Sequence, residues 1–271
     1  MTRDGVAAEG GAAGSPTFRC PAKPATYSCS PGSAWRNKDV ATGFIDERRK
    51  LIPLWDAQEE ITRRLITRAA RRIDRFLDLG AGDGGFAELV LQEHPGSTCV
   101  LVDFSAPMLA AVPQALSHRE GRWAAVEADL AQPSWLEKLP RAERYDAVVS
   151  RLCIHHLPDE RKRELYGEVF DLLEPGGLFM NWEHVAVGGL AEGMFDEYFI
   201  ARMIEAEREQ ENPRPDDEVV AAYSDAHDDD ILVDPETQCR WLDEIGFERS
   251  EIYFKALELA IFGAVKPEEV R

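Results

Sequence analysis

The stretch Phe76-Leu-Asp-Leu-Gly-Ala-Gly-Asp-Gly-Gly-Phe86 constrains this chain more than any other. A short apolar run ends at Leu79, and four of the next six residues are glycine. Gly80, Gly82 and Gly84 let the backbone turn tightly and approach a ligand where a Cβ would collide. An apolar strand, a glycine turn and a helix start in succession are the opening unit of an α/β sheet. Gly80, Gly82 and Gly85 also satisfy GxGxxG, so at this point a dinucleotide is as good a ligand as any other.

The chain around the turn keeps an α/β rhythm. Strands are expected at Phe76–Leu79, Cys99–Asp103, Trp123–Glu127, Asp146–Ser150 and Leu178–Trp182. Helices are expected at Gly85–Glu93, Ala106–Ser117, Ser134–Leu139 and Asp159–Leu173. Strands alternating with amphipathic helices imply a mainly parallel sheet covered by helices. Residues 1–38 are rich in Gly, Ala, Pro and Ser and read as a flexible tail. Residues 39–271 then form one domain. It divides into N-terminal helices (39–74, with a break at Pro53), a core (75–189), an insertion (190–235) and a closing helix with two strands (236–271). In the insertion, a helix over Glu192–Glu211 precedes a polar stretch, Asn212–Asp230, read as loop. The closing helix, Glu236–Ile245, ends at Gly246, ahead of strands near Glu248–Phe254 and Leu257–Val265.

Charge narrows the ligand. A pyrophosphate would be repelled by Asp78, two residues before the first glycine, and by Asp83 within the turn, whereas a cofactor carrying an ammonium and a sulfonium would not. Asp103 ends the second strand, where a carboxylate accepts from ribose hydroxyls. Asp129 follows the third, where it can accept from an adenine amine, with Leu130 packing on the ring.

These segments resemble the class I S-adenosylmethionine-dependent methyltransferase family. Its first motif is similar to Asp78–Gly84, its acidic ribose ligand to Asp103 followed by Phe104, and its adenine-side acid to Asp129. Further similar segments are Tyr145–Ser150 with Ile154–Pro158, and Leu172–Phe179. The likeness spans roughly residues 70–185, and its ordered combination is more specific than any single motif. It implies a Rossmann-like class I methyltransferase fold: a seven-stranded, mainly parallel sheet with helices on both faces, its last strand antiparallel, and here an inserted helical lid. It also implies S-adenosylmethionine at the strand C-termini. The last part of the chain, from Trp241 to Gly263, resembles ubiquinone-type methyltransferases, and more faintly the carboxy-S-adenosylmethionine synthases.

Methyl transfer onto an already nucleophilic atom needs alignment more than acid–base help. For a hydroxyl or amine acceptor a general base is useful. His155 and His156 follow the fourth strand, where methyl donor and acceptor meet in the family, and are the first candidates. Arg151 beside them is assigned to anion or cofactor binding, with a structural ion pair as the alternative. Trp55, Phe195, Tyr198 and Phe199 read either as core or as a lid over a small substrate, and Tyr198 alone among them has a hydroxyl suited to proton transfer. Glu183 and His184 with His227 or Asp228 lack a defined ligand spacing, so no metal is expected. Asp228–Asp230 reads as a solvated acidic turn.

A net charge of −19 opposes attraction to nucleic acid and to anionic membranes. Arg64, Arg68, Arg71, Arg72 and Arg75 could form a local basic patch, but read more simply as a solvated helix face. The expected partner is therefore a small-molecule substrate, with a tRNA acceptor and a homodimer left open. Five scattered cysteines without a CxxC pair argue against disulfides and structural zinc. No secretory signal or membrane-length apolar run stands out, so a cytoplasmic location is expected. The competing functions are a tRNA-directed or carboxy-cofactor enzyme, a non-catalytic cofactor-binding protein and a nicotinamide oxidoreductase.

Overall fold

Strand β1 (Arg75–Leu79) shows why this sequence makes a sheet buried on both sides. Phe76, Leu77 and Leu79 are all fully buried. Successive side chains alternate between faces, so Phe76 enters the core on one side while Leu77 and Leu79 enter the other. The computed structural model describes residues 49–69, 72–140, 144–227 and 230–268. The proposed tail, residues 1–38, lies outside them, as do Arg71, Asp228 and Asp229.

Six further strands complete the sheet: β2 (Thr98–Asp103), β3 (Trp123–Glu127), β4 (Tyr145–Arg151), β5 (Leu173–His184), β6 (Glu248–Ala256) and β7 (Leu259–Val265). Their order is β3-β2-β1-β4-β5-β7-β6. Strands β1 to β5 pair in parallel, whereas β7 runs antiparallel to both β5 and β6. Leu79 pairs with Val102 and with Ser150, which brings the ends of β1, β2 and β4 to one edge. The order reverses between β1 and β4, and ligands of open α/β sheets bind at such a reversal.

Helices α1 (Trp55–Ala69) and α2 (Gly85–Glu93) pack together near that edge. The chain breaks before α1 around Pro53, where Leu54 adopts a left-handed φ of 58°. The helix expected over Ala106–Ser117 is interrupted. It forms α3 (Ala106–Leu109), α4 (Val112–Ala115) and a 3-10 turn, Ser117–Arg119. Pro113 has no N–H to continue a helix from α3, and instead sits in the first turn of α4. Short α5 (Trp135–Lys138) and longer α6 (Asp159–Leu172) follow.

The insertion contains two helices, α7 (Met194–Arg208) and α8 (Asp216–His227), packed together. The second corrects the loop reading of Asn212–Asp230. Asp216, Asp217 and Glu218 suit a helix N-terminus. Val219 and Tyr223, four apart, turn one face inward. Helix α9 (Pro235–Ile245) is capped by the Asp234 carboxylate on Thr237 N at 2.8 Å and ends at Gly246. Among the described residues no helix is long and apolar enough to cross a membrane.

Candidate active site

The glycine turn forms one wall of an open cavity with about 940 Å³ of empty space, open solvent at its mouth included. Gly80 has φ +66°, and a Cβ there would lie 2.1 Å from the Cys153 sulfur. Gly80, Gly82, Asp103 and Phe104 all line the cavity. Gly82 N donates to Asp103 Oδ2 at 2.8 Å, and Ser105 N donates to Oδ1 at 2.7 Å. Burial raises the Asp103 carboxyl above its ordinary range, although these amides oppose the rise.

Other expected cofactor residues sit further back. Asp78 is fully buried behind the turn and accepts from Ala87 N at 3.0 Å, within the first turn of α2. Burial pushes its carboxyl up to about 7, against the pull of Arg151. Gly84 faces Leu116 and Val112, serving the turn rather than the cavity wall. Asp129 accepts from Ala131 N at 2.9 Å, and Leu130 is buried; neither is among the cavity-lining residues. Arg151 does line the cavity, with its guanidinium 4.9 Å from the Trp55 ring centre and 5.4 Å from that of Trp182. Next to it Leu152 is held at φ 49°, a strained conformation of the kind that clusters at functional sites.

The opposite wall carries four of the six histidines: His155, His156, His184 and His227. His155 Nδ1 lies 2.5 Å from Glu183 Oε1, and Glu183 also accepts from His155 N at 3.1 Å, His184 N at 2.9 Å and Asn181 Nδ2 at 3.3 Å. Asp230 corrects the solvated-turn reading, because its side chain is only 7 % exposed. Its Oδ1 is 2.9 Å from His156 Nδ1 and 3.6 Å from His155 Nε2, and its Oδ2 is 3.5 Å from His184 Nδ1. Burial and the neighbouring His156 lower the His155 pKa. Burial alone would raise Asp230, but the surrounding histidines hold it well below the usual carboxylate range.

Phe195 and Phe199 from α7 close this end. Phe195 packs on His184 with ring centres 4.8 Å apart, and Tyr223 stacks on His227 at 4.0 Å. Trp55 is buried against Trp182 at 4.8 Å. Tyr198 is 39 % exposed and lines a separate outer hollow with Arg202 and Leu54, so the fold does not bring its hydroxyl into the cavity. Two acids that matter here, Glu183 and Asp230, were legible only in part. Glu183 ends a strand, but nothing near Asp230 signals burial, because its partners come from residues 46 to 75 positions away.

Residues 77–179 match the family model described as a methyltransferase domain. That stretch, little more than a third of the chain, is similar to a methyltransferase domain. Solved methyltransferase structures share this fold at low identity. An O-methyltransferase family protein from Burkholderia thailandensis is 14 % identical with a TM-score of 0.58, covering 86 % of this chain and 60 % of its own. Human N-acetylserotonin methyltransferase is 14 % identical with a TM-score of 0.55, covering 86 % and 57 %. A phosphoethanolamine N-methyltransferase from Haemonchus contortus is 19 % identical with a TM-score of 0.59, covering 86 % and 59 %. The chain thus spans about three fifths of the length of these methyltransferases. Comparison with curated proteins returns no match. The family description is the general one and does not single out the ubiquinone-type or carboxy-cofactor branches.

Proposed function

We propose that this protein transfers the methyl group of S-adenosylmethionine to a small-molecule acceptor. One observation carries the reading: the glycine turn with its oriented acid, Asp103, opens into the same cavity as the buried histidine cluster. The residues present fit the cofactor. Gly80 and Gly82 present bare backbone to it, Asp103 offers carboxylate lone pairs to a ribose diol, and Asp83 and Asp103, which line the cavity, favour a cationic ligand over a pyrophosphate. When bound, S-adenosylmethionine supplies an electrophilic methyl on a sulfonium.

The chain's own part is then to align an acceptor and exclude water. Phe195 and Phe199 cover it, and His155 or His156 takes a proton from a hydroxyl or amine acceptor. The neighbours include enzymes described as O- and N-methyltransferases, which supports a small acceptor with either atom. The free thiols of Cys99, Cys153 and Cys239 support a reducing, cytoplasmic setting.

Calorimetric titration with S-adenosylmethionine, S-adenosylhomocysteine and NAD tests the donor. Binding of both sulfur compounds without NAD is the expected result. Binding of NAD alone would overturn the proposal and favour an oxidoreductase. Binding of the sulfur compounds without turnover on any hydroxyl, amine or thiol acceptor would favour a non-catalytic cofactor-binding protein.

A further inference from the structure

We propose that His155, His156 and Asp230 form a binding site for a divalent first-row transition-metal ion at the histidine end of the cavity. Each offers one ligand atom, and the three atoms lie within 4.8 Å of one another. Two of the separations are 2.9 Å (His156 Nδ1 to Asp230 Oδ1) and 3.6 Å (His155 Nε2 to the same oxygen). Donor atoms about 2.0–2.2 Å from one shared ion stand roughly 3 Å or slightly more apart, so these spacings are those of co-ligands.

Hydrogen bonding accounts for only part of the cluster, since His155 Nε2 stands 3.6 Å from Asp230 Oδ1, beyond hydrogen-bond reach. The Asp230 side chain, only 7 % exposed, has three imidazole nitrogens around its carboxylate: His156 Nδ1 at 2.9 Å, His184 Nδ1 at 3.5 Å and His155 Nε2 at 3.6 Å. A buried carboxylate is unfavourable unless its charge is compensated, and a cation shared with these imidazoles compensates it. Glu183 adds a second, independent sign. Its carboxylate takes the Nδ1 side of His155 at 2.5 Å, which leaves the Nε2 lone pair facing Asp230 Oδ1. A carboxylate behind the far nitrogen is the usual way a metal-binding histidine is oriented. In the neutral imidazole those lone pairs repel, and a metal cation between them, 3.6 Å being too long for a hydrogen bond, removes the repulsion.

The segment carrying Asp230 is also fixed in place. Ile231 N donates to His155 O at 2.9 Å, and the buried Lys162 ammonium donates to Ile231 O. Two imidazoles and one carboxylate suit Zn²⁺, Fe²⁺ or Mn²⁺ better than Ca²⁺ or Mg²⁺, which favour all-oxygen sets. Three protein ligands leave coordination positions open, and His155 and His156 both line the cavity. An acceptor oxygen, sulfur or nitrogen could occupy such a position. The site rests on side-chain geometry and stands apart from the methyl-donor reading; with the ion bound, His155 and His156 are its ligands, and activation of the acceptor passes from the imidazoles to the ion.

The test titrates the full metal-stripped chain with Co²⁺, followed by visible absorption and calorimetry, with S-adenosylhomocysteine binding measured in parallel. We expect one Co²⁺ per wild-type chain, displaced by Zn²⁺. Asp230→Asn weakens Co²⁺ at least tenfold and leaves S-adenosylhomocysteine affinity within about twofold; His156→Gln also weakens Co²⁺ at least tenfold. Glu183→Gln, a positioning change, weakens Co²⁺ and shifts its absorption band. Absence of stoichiometric Co²⁺ in the wild type, or equal affinity in Asp230→Asn, overturns the site. The wild-type stoichiometry decides alone if a variant fails to fold. Normal Co²⁺ uptake without S-adenosylhomocysteine binding supports the metal site and counts against the methyl donor.

Discussion

Asp103 is held on both carboxylate oxygens by backbone amides, Gly82 N and Ser105 N, so its orientation toward the cavity is set before any ligand arrives. On the proposed function, replacing it by Ala removes the ribose acceptor together with the anchor of the glycine turn. Asp103→Ala is expected to weaken S-adenosylhomocysteine binding at least tenfold by calorimetry, about 1.4 kcal/mol or more. Glu60→Ala, at an exposed ion pair with Arg64, should change it little; equal losses would refute the placement. Asp78 acts differently. Its carboxyl is pushed up to about 7 by burial, from an ordinary value of 3.8. Between about pH 4 and about pH 7 the folded protein keeps a proton that the unfolded chain releases. The stability this proton contributes is complete below the lower value and is lost as pH rises through the upper one. Asp78→Asn should therefore lose less stability than wild type between about pH 5 and about pH 8 in denaturant unfolding. Identical pH slopes would contradict the burial argument. Both acids were legible in the sequence as strand-end carboxylates beside a glycine turn. Their division of labour was not, because only the pairing of β1 with β2 and α2 puts one behind the turn and the other on the cavity.

Helix α7 shows what a sequence pattern at the level of an element can and cannot say. Its apolar side was visible from the spacing of Phe195 and Phe199, and both rings do face inward. Its N-terminus has no side-chain cap of its own. Glu258, from the connection between β6 and β7, supplies one, accepting from Gly193 N at 2.6 Å and Phe195 N at 2.8 Å. A distant carboxylate thus satisfies amides that the helix leaves open and favours its positive end. Glu258→Ala is expected to lower unfolding free energy by about 1–3 kcal/mol. Hydrogen exchange should then quicken first in Met194–Arg208, ahead of the sheet; uniform acceleration would mean the cap is not local. Helix α8 was missed because acidic and proline residues hid a short inward face. The four-residue spacing of Val219, Tyr223 and His227 was the available signal.

At the scale of the molecule, charge decides which partners can come near. The net charge of −19 repels a polyanion, and the candidate basic face is partly neutralised by its own neighbours. Arg64 pairs with Glu60 at 2.7 Å and Arg72 with Asp74 at 2.6 Å. Electrophoretic mobility of tRNA at physiological salt is therefore expected to be unchanged by micromolar protein. A saturable shift would sink the small-molecule reading and revive the tRNA-directed one.

The chain's own order of residues determined the α/β rhythm, the glycine turn and the strand-end acids. Those are local properties: an apolar run, a missing Cβ and a carboxylate at a strand's end act within a few residues of themselves. Only the tertiary structure decided the histidine cluster. His155 and His156 follow β4, Glu183 and His184 end β5, and Asp230 follows α8, so no spacing along the chain announces that they meet. Their encounter depends on parallel pairing of β4 with β5 and on the inserted helices folding back over that edge. Those contacts arise from burial of non-neighbouring surfaces, which a linear pattern does not encode.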